Sequence, residues 1–319
     1  MLRSAWIKWA RAVEHQHLLA REGREWIAND SYVYDRTDNA SDNTNPLLAV
    51  HWRLRIVHPY PERWSVLIGD VLTNLRAALD HSFWAAAEAH TGTPDAPHRV
   101  MFPIHTQSTK FAKAAKELQP LVAPPVWKFI ESVQPFHGND KAHTHPLEIL
   151  RWMSNVDKHR AVHVLGRTAF DVGPVLVRST PPLEVADEWR REGPTSDGDV
   201  IARVKLRRPP SGTSVDLIPT FAHTACLQIS DDPEEVHALD SVMDVMREHV
   251  LGVLASLTEL LGEPFPEPAT LELGEHHDEV VPEFGGAIAL IRDLDGATHR
   301  INLDQLPAEQ GHEPAAPTT

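Results

Sequence analysis

Trp6, Trp9, Ala10, Val13, Leu18, Leu19 and Trp26 recur at helical spacing among Arg and Glu residues. That pattern predicts a helix over residues 4–29 with one apolar stripe, stopped by Asn29-Asp30-Ser31. The period then changes to two. Residues 32–36 and 47–57 read as strands, because His51, Arg53 and Arg55 alternate with Trp52, Leu54 and Ile56. The polar loop 37–45 joins them as a hairpin. Pro59 and Pro61 break the pattern, and Pro61 suits the first turn of a new helix. Residues 62–90 carry the strongest helical signal of the chain, with Leu67, Val71, Leu75, Ala78, Leu79, Ser82 and Ala86 in one stripe. Thr91-Gly92-Thr93-Pro94 ends it. Shorter helices are expected over 108–118 and 124–133, and a further one over 146–160.

Beyond residue 160 the chain changes character. Segments 162–165, 175–178, 200–207, 215–221 and 226–229 are short β-branched runs bounded by Gly, Pro and Asp, as in an antiparallel sheet. A last long helix is expected over 233–261, with Val236, Leu239, Val242, Met243, Met246, Val250, Leu254, Leu257 and Leu261 facing the core and Gly262 as its cap. Residues 287–293 and 298–303 flank Asp295-Gly296, a hairpin signal.

Four long helices with one apolar stripe each must bury those stripes together. The expected class is therefore α+β: a mainly helical bundle of four long helices, with an inserted antiparallel β-sheet and a C-terminal β-hairpin. Its organisation would be a bundle over 1–262, carrying an N-terminal hairpin (31–57) and the inserted sheet (about 162–229). An acidic, proline-bearing linker and hairpin over 263–306 would follow, then a disordered tail over 307–319.

Composition narrows the function. Across 319 residues, 30 Lys and Arg stand against 45 Asp and Glu, a formal charge of −15, which disfavours generic DNA binding. The single cysteine, Cys226, forms neither an internal disulfide nor a thiolate zinc site, and a cytoplasmic home follows as the default. Residues 1–12 lack the apolar run of a secretory signal. No stretch approaches the ~18 apolar residues of a membrane span, so no membrane partner is expected.

Two helical segments place polar residues against an apolar stripe. In residues 68–84, Asn74 and His81 lie ~20° apart on the helical wheel, while Arg76 stands ~140° from His81. In residues 148–160, Glu148, Asn155 and His159 fall within ~40° of one another beside Ile149, Trp152 and Val156. Arg160 falls inside that stripe and calls for a partner, with Asp80 or Glu148 as candidates. His159 and His163 are spaced to share one helix face, with His81 or Glu148 as a third ligand of a metal-dependent bundle enzyme. His143, His145, His276 and His277 are weaker metal candidates. Trp6, Trp9 and Trp152 read as core, and residues 203–208 (RVKLRR) as the solvated face of a strand.

Arg76-Ala-Ala-Leu-Asp80-His81, an Arg, four residues and a His within a helix, resembles the signature of the HEPN families. Residues 66–81 (VLIGDVLTNLRAALDH) and 155–160 (NVDKHR) together resemble a family of uncharacterised bacterial and phage proteins that carries both. The resemblance covers the helical half of the chain. It implies a metal-independent endoribonuclease in a toxin or anti-phage setting, acting on RNA without a cofactor. His81 would move the proton and Arg76 would stabilise phosphoryl charge, with His159 completing the catalytic set. Asn74, Asn155, Lys158 and Arg160 would hold the substrate backbone. Because Arg76 and His81 diverge on one helix, a homodimer would serve to bring the pair from each protomer together. The non-catalytic alternative is an interaction or structural protein, with Asp80, Glu148 and Asp157 as ion-pair partners of Arg76 and Arg160. The ribonuclease reading also expects His81 and His159 to face a shared pocket.

Overall fold

A computed structural model of the chain describes residues 1–210, 212–271, 288–292 and 298–302. Among these residues are six α-helices and three antiparallel sheets. The helices are α1 (Arg3–Ala28), α2 (Arg63–Thr91), α3 (Ser108–Leu118), α4 (Pro124–Ser132), α5 (Pro146–His159) and α6 (Leu239–Leu260). The strands are β1 (Tyr32–Asp38), β2 (Leu47–Ile56), β3 (Val164–Ser179), β4 (Val185–Arg190), β5 (Pro194–Thr195), β6 (Val200–Arg207), β7 (Val215–Gln228) and β8 (Val236–Ala238), with β9 (Ile288–Arg292) and β10 (Thr298–Asn302).

This overturns the expected four-helix bundle with a single inserted sheet. The hairpin over 31–57 does not stand alone. Its second strand takes β6 on its free edge, giving a sheet of order β1-β2-β6-β4, while β5-β3-β7-β8 form another. The physical reason is that β2 buries alternate residues on one face only and still has an open edge to pair. A second correction falls on α6, which begins at Leu239 rather than near 233. Val236–Ala238 instead extends β7 as a short strand, pairing Gln228 with Val236 and Cys226 with Ala238.

The chain divides into two compact units. One comprises residues 1–12, 74–151 and 245–319, the other 13–73 and 152–244. In the first, Trp6 donates its Nε1 hydrogen to Thr258 Oγ1 (3.2 Å) and Trp9 donates to the Arg247 carbonyl (3.1 Å), tying the start of α1 to α6. Phe83, Phe102, Phe129, Leu75 and Leu79 are fully buried there. The β9–β10 hairpin pairs Ile288 with Asn302 and Arg292 with Thr298. Its turn, His276 and His277, most of the expected linker and the tail lie outside the described residues.

In the second unit, Leu48, Val50, Trp52 and Leu54 of β2 and Ala202, Val204 and Leu206 of β6 share a core with Val175 of β3 and Leu217 of β7. The two sheets thus pack through their apolar faces. The opposite face of β6 carries the charged residues expected to be solvated, and they are ion-paired. Arg203 and Lys205 both reach Asp187 (3.1 and 3.3 Å), and Arg207 reaches Glu184 (3.2 Å).

Candidate functional site: an arginine cleft and its neighbouring cavity

Among the expected site residues, Arg76, His81, Asn74, Asp80 and Glu148 belong to the first unit. Asn155, Asp157, Lys158, His159 and Arg160 belong to the second. In the first, Arg76 and Asp80 sit one turn apart on α2 and form a side-on pair, Nε to Oδ2 at 3.1 Å and Nη2 to Oδ1 at 2.7 Å. Arg76 Nη2 also donates to the Phe102 carbonyl (2.8 Å), and the Phe102 amide donates to Asp80 Oδ1 (2.9 Å). Both main-chain groups of Phe102 are therefore clamped onto α2. Gln134 secures the same strip, donating to the Pro103 carbonyl and accepting from the His105 amide. The network is structural in form. Asn74 accepts from Lys8 (3.4 Å), and Glu148 is taken by Arg151 rather than Arg160. His81 is half-buried, with Nδ1 enclosed and lacking a hydrogen-bond partner.

In the second unit, Asn155, Lys158, His159 and Arg160 are all exposed at the end of α5. Asp157 packs against Gly69, where a Cβ would sit 2.6 Å from its Oδ1, so a larger residue there would require the Asp157 carboxylate to shift. Burial raises the Asp157 carboxyl above its ordinary range, and the neighbouring Asp70 adds to the rise. Among the described residues no three His, Cys, Asp or Glu side chains group as metal ligands. No described helix is long and apolar enough to cross a membrane.

A concave site lies elsewhere, on the β5-β3-β7-β8 sheet. Residues paired across an antiparallel ladder project to the same side. The pairs Arg167–Thr224, Leu165–Cys226 and Cys226–Ala238 therefore share one face. On that face opens a cleft of about 440 Å3, floored by Arg167, Thr224, Cys226 and Ala238 and walled by Arg190, Arg191 and Glu192. Arg191 is preset by its Nε bond to the Pro194 carbonyl (3.2 Å) and an ion pair with Asp199 (3.3 Å). Burial pushes the Cys226 thiol up to about 11, opposed by Arg167 and helped by Asp240, so it is protonated at neutral pH.

One same-face step along β3 and β7 lies a second cavity of about 210 Å3. Leu165 and Gln228 contribute from the sheet, Trp152, Met153 and Val156 from α5, and Arg160, Ala161, Val162 and His163 from the segment that follows it. This explains the cation in the apolar stripe. The stripe of α5 ends at an open cavity, so Arg160 stands exposed at its mouth and needs no buried partner. Trp152, expected in the core, lines this cavity half-buried, with its indole N–H donated to Asp231 (3.3 Å).

The opposite face of the same sheet is sealed by aromatic packing. His223 Nε2 and the Tyr60 hydroxyl are hydrogen-bonded at 2.9 Å, and Trp26 stacks on Tyr60 with centroids 4.7 Å apart. Burial lowers the His223 pKa to about 4. A Cβ on Gly166 would sit 2.6 Å from His223 Nε2, so a side chain there would displace the buried imidazole. This backing holds the strands that carry Arg167 and Cys226.

Sequence reasoning passed over Arg167, Arg190 and Arg191. Arg167 stands alone on β3, while Arg190 and Arg191 are adjacent at the end of β4, and the pairing of Arg167 with Pro194 of β5 brings that segment beside it. Comparison with known protein families, with curated proteins and with solved structures finds no match for this chain.

Proposed function

We propose that this protein binds a phosphate-bearing ligand in the cleft of Arg167, Arg190 and Arg191, and acts by binding rather than turnover. The observation that carries this reading is the gathering of three arginines in one cleft. In a chain of net charge −15, one cleft is lined by three arginines, with Glu192 in the lining and Asp199 paired to Arg191. Planar guanidinium forks match phosphate oxygens in pairs, and Arg167 presents its fork exposed on the cleft floor while Arg191 is held in place by Pro194 and Asp199. The Thr224 hydroxyl adds a donor on the floor. The lining offers no imidazole, and its thiol stays protonated, which favours binding over catalysis.

The ribonuclease reading rests on Arg76 and His81 and on the resemblance to HEPN proteins. Against it, the Arg76 fork is already engaged by Asp80 and the Phe102 carbonyl, which leaves it little to offer a phosphoryl group. Titration calorimetry with inorganic phosphate and ribose 5-phosphate tests the proposal. Saturable binding that Arg167→Ala abolishes supports it, and no binding of either overturns it. RNA cleavage that persists in EDTA and disappears in His81→Ala would overturn it in favour of the ribonuclease and its RNA partner. Sedimentation of the active form would then show whether a homodimer is needed.

A further inference from the structure

The two cavities on the sheet differ in chemistry in a way that specifies more than phosphate. We infer that they are the two halves of one ligand site, a phosphate subsite at the arginines and a base subsite against Trp152, so that the ligand is a nucleoside monophosphate. The inference rests on the phosphate-binding reading of the first cavity.

Adjacency comes from strand geometry. Arg167 in the first cavity and Leu165 in the second are consecutive same-face residues of β3, and Cys226 and Gln228 stand in the same relation on β7. One such step is about 6.7 Å, so the cavities lie end to end along the same two strands. That is comparable with the reach from a 5′-phosphate across a ribose to its base.

The second cavity has the chemistry of a base subsite. Its walls are Trp152, Met153, Val156, Val162 and Leu165, apolar and partly aromatic, with polar groups only at Arg160, His163 and Gln228. At about 210 Å3 it has room for one ring system. Trp152 offers a π-face for stacking, and its bond to Asp231 fixes the orientation of the indole. Gln228 donates its Nε2 hydrogen to the Ser230 carbonyl (2.7 Å), leaving Oε1 as an acceptor for an exocyclic amine. The Arg160 guanidinium at the mouth is placed to lie over a ring or to meet a ribose hydroxyl.

Titration calorimetry of the whole chain with AMP, GMP, UMP, ribose 5-phosphate and inorganic phosphate tests this. At least one nucleotide is expected to bind tenfold or more tightly than ribose 5-phosphate. Trp152→Ala should bring nucleotide affinity down to that of ribose 5-phosphate, and Val156→Phe, which fills the cavity without removing the indole, should do the same. Thermal melts of both variants establish that they fold. If ribose 5-phosphate binds the wild type as tightly as every nucleotide, the base subsite is overturned while the phosphate reading stands. Nucleotide preference surviving in both variants also overturns it. If no phosphate compound binds, the phosphate reading falls and this inference with it.

Discussion

Arg167 on β3 stands directly opposite Thr224 on β7, and that pairing places an exposed strand arginine on the floor of the cleft. The flanking pair Leu165–Cys226 sets the same face for the neighbouring cavity. Register thus decides the face on which Arg167 stands, and a one-residue slip would send it to the aromatic side of the sheet.

Arg76 and Asp80 are expected to act as a clamp on Phe102, not as reacting groups. Arg76→Ala should lower unfolding free energy by about 2 kcal/mol, because it leaves Asp80 and the Phe102 carbonyl short of a partner. Arg76→Lys should recover only part of the loss, since an ammonium cannot span both carboxylate oxygens and the carbonyl as the fork does. Urea denaturation of the three proteins measures this, and an unchanged midpoint in Arg76→Ala would remove the clamp from the account.

His223 ties stability to acid pH. Its folded pKa, lowered by burial to about 4, lies below the ordinary value of 6.5, so the unfolded chain takes up the proton first as pH falls. The contribution is complete above about pH 6.5 and is lost progressively towards pH 4, a decline of about 3 kcal/mol at 1.36 kcal/mol per pKa unit. Melts recorded between pH 7 and pH 4 should fall more steeply for the wild type than for His223→Gln, which has no proton to gain. Gly166→Ala should destabilise at every pH by about 2 kcal/mol, since its methyl group would overlap the imidazole.

Asp157 has the opposite sign. Its folded pKa is raised, so the folded state holds the proton more tightly and charging Asp157 disfavours folding. Stability contributed this way falls as pH rises through the window between the ordinary carboxylate value and the raised one. Asp157→Asn should therefore raise the melting temperature at pH 7 and lose that advantage near pH 3. A lower melting temperature for the variant at pH 7 would show that the charge has a stabilising partner after all.

Much of the architecture is legible in the residue pattern, for stated reasons. The stripe Leu67–Ala86 has a period that only a helix satisfies, and α2 runs over Arg63–Thr91. The alternation through Trp52 and Leu54 likewise marks β2. What periodicity does not carry is pairing between distant segments. Nothing in residues 47–57 names 200–207 as the neighbour on their free edge, and so the hairpin and the later strands read as separate features. Val236 has helical spacing with Leu239 and Val242, yet the open edge of β7 claims it as strand. At the candidate site the single local signal was Arg160, a cation in an apolar stripe. It marked the rim of a cavity and not a buried ion pair, because the stripe outlasts the packed part of α5.

The central claim, a phosphate site built from three arginines, is tested most directly by titration calorimetry of the wild type and of Arg167→Ala with ribose 5-phosphate at low salt. Arg167 is exposed, so the variant should keep the wild-type melting temperature. The account predicts saturable one-to-one binding to the wild type that weakens at least tenfold in Arg167→Ala, equivalent to about 1.4 kcal/mol. Binding of equal strength in the two proteins, or no binding to the wild type, would contradict it.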